Sequence, residues 1–221
     1  AIIVGLLMPK LSAEYLQHNQ TRFKELYRRS MYALALVATP LVIGSIMIAH
    51  PLMDVIVRKP ELRERITDLG NLLQILMIAV GMIFLGTLTG YVVVVVNRQR
   101  QIIFAYAFVA VTALLGYLWF IPRFSYYGAA WMTVYAETMM VLIASWLIYR
   151  AAGVLPSIKQ LSRVLLAGGI MAAGLWAIRG VPLGVLIMCG TLFYGIALIL
   201  VGGISSADLA LLKPNVKRFN H

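Results

Sequence analysis

Residues Leu69 to Asn97 read LGNLLQILMIAVGMIFLGTLTGYVVVVVN, twenty-nine positions in a row without one charged side chain. Wound as an α-helix at 1.5 Å per residue, the stretch is about 43 Å long, more than enough for a hydrocarbon core of about 30 Å. A helix that is apolar on every face belongs either in the heart of a large soluble core or in a membrane. Apolar and polar residues do not alternate here, and the run is far longer than the roughly 9–11 residues of a membrane barrel strand. Helices are the other way to pair every backbone N–H and C=O in lipid.

Working outward, five more runs fit the same reading. Met31 to Ala49 precedes the central run; Gln101 to Pro122, Phe124 to Tyr149, Val164 to Ile178 and Gly180 to Ala207 follow it. Val164 to Ile178 is short, about 22 Å as a helix, and spans if Arg163 and Arg179 snorkel to the two interfaces. Ala1 to Met8 is apolar but too short to cross and has no basic region of a signal peptide. It is expected to be the end of a helix that starts upstream. The expected fold class is therefore all-α: a polytopic transmembrane helical bundle of six full spans plus a truncated N-terminal helix. The expected divisions are 1–9 for the truncated helix, 10–30 for a cytoplasmic amphipathic segment, 31–207 for the six-helix membrane domain and 208–221 for a cytoplasmic tail. Gly86 with Gly90, Gly168 with Ala172 and Gly169 with Ala173 stand four apart, the spacing at which small residues let helices approach in lipid.

Composition agrees. Of 221 residues 62% are hydrophobic and only 12% charged, against roughly 25% charged in soluble domains. The net charge of +11 does not imply nucleic acid, because Lys and Arg lie in the short segments between apolar runs, where they meet lipid headgroups and set topology. Five fall in 10–30, two in 98–100, three in 150–163 and three in 213–218, against four in 58–65 and one each at 123 and 179. Thirteen against six places the first set, and the C-terminus, in the cytoplasm. The four at 58–65 run mildly against this assignment. Within 10–30, Leu11, Tyr15, Phe23, Leu26 and Tyr27 recur at helical spacing among basic residues, as in a helix lying on the inner leaflet.

No P-loop, no H-E-x-x-H and no G-x-S-x-G occurs. His18, His50 and His221 are scattered, and Cys189 is alone in an apolar run, so neither a metal nor another cofactor is expected. Ser205 to Asp208 reads as a helix-terminal turn. The chain is expected to be a transporter and not an enzyme. Glu137 is the only acid deep in a run; it reads equally as a cavity-lining group that takes a cation, a proton or a sugar hydroxyl, and as a structural partner of a neighbouring helix. Asn71 and Gln74, one turn apart, offer amides that hydrogen-bond sugars or, more commonly, bridge helices. Asn97, Arg98 and Arg100 crowd the next turn, where guanidinium groups pair with phosphate oxygens or, more commonly, only set topology. Tyr and Trp residues toward the run ends form an interfacial belt.

Four stretches taken in order resemble a known family. Leu7-Met8-Pro9-Lys10-Leu11-Ser12 ends a helix, Thr39-Pro40-Leu41 and His50-Pro51-Leu52-Met53 lie in the next, Ile121-Pro122-Arg123-Phe124-Ser125-Tyr126-Tyr127-Gly128-Ala129-Ala130 makes a turn, and Glu137 follows two turns on. This order, over about residues 1–150, is similar to the C-terminal half of polysaccharide biosynthesis proteins of the O-antigen and exopolysaccharide flippase type, within the multidrug/oligosaccharidyl-lipid/polysaccharide exporter superfamily. Val57-Arg58-Lys59-Pro60 departs from the family's Gly-containing turn. The resemblance implies one lobe of a two-lobed bundle that moves a polyprenyl-diphosphate-linked oligosaccharide across the bacterial inner membrane for lipopolysaccharide or exopolysaccharide synthesis. Its implied partners are that lipid-linked oligosaccharide, membrane lipid and glycan polymerase or assembly proteins, with Glu137, Asn71, Gln74, Asn97, Arg98 and Arg100 along the path. Alternatives are a multidrug or lipid II exporter of the same superfamily, or a membrane-embedded glycan transferase.

Overall fold

The computed structural model describes residues 9, 11–17, 19–57, 60–178 and 180–203. The expectations for Ala1 to Met8, for Ser205 to Asp208 and for the tail from 208 onward lie outside them, as do Lys10, Arg58, Lys59 and Arg179. Among the described residues every regular element is a helix. After a helical stretch over 11–16 come α1 (Gln20–Ile56), a 3-10 turn (Pro60–Arg65), α2 (Ile66–Val95), α3 (Gln99–Ala152), α4 (Ile158–Ala177) and α5 (Leu183–Leu200). All five α-helices are long and apolar enough to cross a membrane, and no more than 33% of the apolar window in any of them is buried against the rest of the chain. Phe104, Leu118, Leu166, Met188 and Leu192 are among the many exposed apolar side chains. Water does not tolerate a surface of that extent on a soluble monomer; a bilayer does. The chain is a helical, multi-pass membrane protein.

One of the five is not a straight rod. Ser125, at φ 51° and ψ −133°, breaks α3. On an unbroken helix Thr112 and Tyr135 would stand about 35 Å apart. Instead the Tyr135 hydroxyl reaches Thr112 Oγ1 at 3.1 Å, and Tyr117 meets Thr133 at 3.3 Å. The arm ending at Phe124 and the arm starting at Tyr126 therefore lie antiparallel. Pro122 withholds an N–H just before the break. Gly128 lets the arms close, since a Cβ there would sit 2.6 Å from the Phe120 carbonyl oxygen. The reversal takes one residue where the sequence suggested a longer turn over 121–130, because Pro122, Arg123 and Phe124 keep helical geometry.

α1 has 37 residues, well beyond the uncharged run Met31 to Ala49. Asn19 caps it, its Oδ1 accepting from the Arg22 N–H at 3.3 Å. Two prolines lie inside, and each leaves a carbonyl one turn earlier without its donor. The carbonyl freed by Pro40 is that of Leu36, and the Tyr194 hydroxyl of α5 donates to it at 2.8 Å. Pro51 frees Met47, and Gln74 of α2 donates to the adjacent Ile46 carbonyl at 3.0 Å. An unpaired backbone group in lipid costs several kcal/mol, so the Tyr194 hydroxyl makes Pro40 tolerable, and both side chains tie the helices together.

α1 is also the centre of the bundle. It packs on α2 along one side and on α4 and α5 along the other, while α3 packs on α2. At Gly168 α4 comes so near that a Cβ would meet Ile43 Cδ1 at 2.5 Å. Leu11, Phe23 and Tyr27 are buried in a core with Leu88, Val92 and Ile148, and Arg22, Arg28 and Arg29 are exposed. The apolar face read in 10–30 as a membrane-surface face thus rests on protein. A 3.6-residue period is the same whether lipid or another helix is the partner.

Candidate functional site

α2 descends from Ile66 and turns into α3 at residues 96–98, so the first arm of α3 runs back beside it. The second arm returns behind both. Between the three segments a cavity of about 550 Å³ opens sideways, with Gly86 and Gly90 in its lining and Thr87, Tyr91, Tyr106 and Glu137 as its main polar groups. The two glycines leave room that larger residues would fill; a Cβ on Gly90 would touch nothing within 4 Å. Thr87 is spoken for, its hydroxyl donating to the Ile83 carbonyl of its own helix at 2.8 Å. The same holds for Thr89, which donates to the Leu85 carbonyl at 3.2 Å.

Glu137 is half-buried and is the only charged residue lining this groove. Its carboxylate has no hydrogen-bond or ion-pair partner among the described residues. The acid lines the cavity together with Tyr91 and Tyr106 and forms no hydrogen bond to a neighbouring helix among the described residues. A lone carboxylate beside two phenol rings, walled mainly by apolar side chains, can accept a proton, a cation or hydroxyl hydrogens.

Asn97, Arg98 and Arg100 lie at one end of the bundle and line, with Gln99 and Gln101, a separate cavity of about 430 Å³. Asn97 has a structural task. It adopts φ 56°, and its N–H and that of Arg98 reach the Val94 and Val93 carbonyls at 3.0 Å each. This double closure is the Schellman ending of α2, with Asn in the left-handed position. Neither Arg98 nor Arg100 has a carboxylate partner among the described residues.

Asn71 and Gln74 stand at the opposite end. The 26 positions between Asn71 and Asn97 amount to about 39 Å of helix rise. Asn71 Oδ1 lies 3.2 Å from His50 Nε2, and Gln74 holds the Ile46 carbonyl, so both amides join α2 to α1. The six residues read in the sequence thus fall in three places and do not converge on one site.

One cluster escaped the sequence reading. Asp68, in the first turn of α2, accepts from the Tyr126 hydroxyl at 3.0 Å and from the Tyr127 hydroxyl at 3.2 Å. The two phenols follow Ser125 directly, so this carboxylate pins the reversal of α3 to the start of α2. Tyr126 and Tyr127 had the look of belt residues, and 58 positions separate Asp68 from Tyr126. No local pattern signals a pairing at that distance.

Fold and site together define a membrane-embedded helical bundle with a lateral, acid-bearing groove. Compared with known families and with curated proteins, the chain matches no family model and no curated sequence.

Proposed function

We propose that this chain is one lobe, the C-terminal half, of a flippase that carries a polyprenyl-diphosphate-linked oligosaccharide across the cytoplasmic membrane. In this reading the two arms of α3 each cross the bilayer, which makes six crossings. The ends near Asn97 and the C-terminus face the cytoplasm, as the Lys and Arg distribution favours. The supporting observation is the unpartnered carboxylate of Glu137 in the groove between α2 and α3. A charge at mid-membrane depth costs roughly 2.5–3.5 kcal/mol on insertion scales, and a side chain with that cost and no structural partner is well suited to meeting a polar cargo or its coupling ion. The order of the Pro, Tyr-Gly-x-Ala-Ala and Glu137 segments, which resembles the flippase family, gives the cargo class. A lateral groove of this kind lets a polar headgroup travel while its lipid tail stays in the bilayer.

The test is the leaflet distribution of the lipid-linked oligosaccharide. Loss of the gene should trap it on the inner leaflet, and Glu137→Gln should cut outward movement by about tenfold or more while the purified variant melts like the parent. Unchanged surface glycan with altered tolerance to cationic drugs would instead support the exporter reading, for which the same lone acid speaks. Loss of a sugar-transfer step in detergent extracts would make the chain a transferase.

A further inference from the structure

The basic turn directly adjoins the lateral groove along the chain. Val94 and Ile102 line the groove, and they flank the turn whose residues Asn97 to Gln101 line the neighbouring cavity. Along this path the chemistry changes in order. Two unpaired guanidinium groups, Arg98 and Arg100, stand with neutral amides at the rim. Ile102, Val94, Met140 and Ala144 follow as an apolar trough. Glu137 comes last, two helical turns beyond Ala144 on the same arm, about 10 Å deeper.

That order matches an amphiphile with one anionic end. Guanidinium pairs with phosphate oxygens through two parallel N–H donors. The apolar trough takes hydrocarbon, and the carboxylate at the far end repels an anion from going deeper. We infer that the seam between α2 and the first arm of α3 holds an anionic phospholipid of the surrounding leaflet, its phosphate on Arg98 and Arg100 and an acyl chain along the trough. The inference rests on the bundle lying in a bilayer and not on transport.

The experiment is lipid retention by the purified full chain. Protein exchanged into equal phosphatidylglycerol and phosphatidylcholine of identical acyl chains is repurified, and the retained lipid is quantified by mass spectrometry. The expected result is phosphatidylglycerol enriched about tenfold or more. Arg98→Gln with Arg100→Gln should bring it down to the phosphatidylcholine level. Gly90→Leu should also lower it, by filling the trough at a position where a side chain meets no neighbour. If the double variant does not fold, Gly90→Leu carries the test alone. Equal retention of both lipids, retention unchanged in either folded variant, or displacement of the lipid by excess inorganic phosphate would overturn the inference, the last by showing a free-anion site with no role for the chain. Transport can fail in the leaflet assay with retention intact, and the reverse, so the two proposals fall separately.

Discussion

Asn97 and Gly128 show how single residues decide this architecture. Asn97 ends α2 in the left-handed conformation, at φ 56°, where Asn and Gly are at ease and β-branched residues are not. Asn97→Gly should change stability by a few tenths of a kcal/mol at most, and Asn97→Val should cost about 1–2 kcal/mol, both read from unfolding in detergent. Equal effects would mean that the turn is not held this way. Gly128→Leu drives a side chain into the backbone of the opposing arm and should cost about 1–3 kcal/mol or splay the hairpin; a variant with parental stability would contradict the close approach. Part of this was legible. An Asn directly after the valine run Val92 to Val96 and before Arg98 is a helix-stop signal. The unpaired state of Glu137 was not, because a sequence shows which residue is acidic but not what surrounds it.

At the level of elements, the prolines of α1 explain why this helix sits in the middle. Each exposes a carbonyl: Leu36, freed by Pro40, is met by Tyr194 of α5, and next to Met47, freed by Pro51, Gln74 of α2 bonds the Ile46 carbonyl. A double-mutant cycle tests the first. Tyr194→Phe should cost about 0.6 kcal/mol, up to about 1.7. In a Pro40→Ala background the residue at 40 regains its N–H and bonds the Leu36 carbonyl itself, so the same Tyr194→Phe change should cost markedly less. A cost independent of residue 40 would refute the coupling. The runs that became helices were readable from their lack of charge, as in Leu69 to Asn97. The Pro122 to Gly128 reversal was readable from its turn residues. What the runs do not reveal is the partner of each face. The Leu11, Phe23 and Tyr27 stripe has the same period on lipid as on the protein core where it lies, and Asp68 meets Tyr126 and Tyr127 only because α3 doubles back.

For the whole molecule, the bilayer is the solvent that reconciles a mostly exposed apolar surface with a stable fold. In the proposed topology, basic residues at the Asn97 end and in the 150–163 segment mark one side, and the Ser125 end the other. Groove, acid and basic turn acquire their meaning from this placement. In the proposed topology the groove opens in the half of the membrane that ends at Arg98 and Arg100, and Glu137 stands near mid-depth. The most direct test is side-specific thiol labelling in a Cys189→Ser background, with single cysteines at Gln99, Ser125 and Ser157. A membrane-impermeant maleimide on intact cells should label Ser125→Cys only, and Gln99→Cys and Ser157→Cys only after permeabilisation. Labelling of Gln99→Cys and Ser125→Cys from the same side would mean that the first arm of α3 does not cross, and the account of the groove would fall with it.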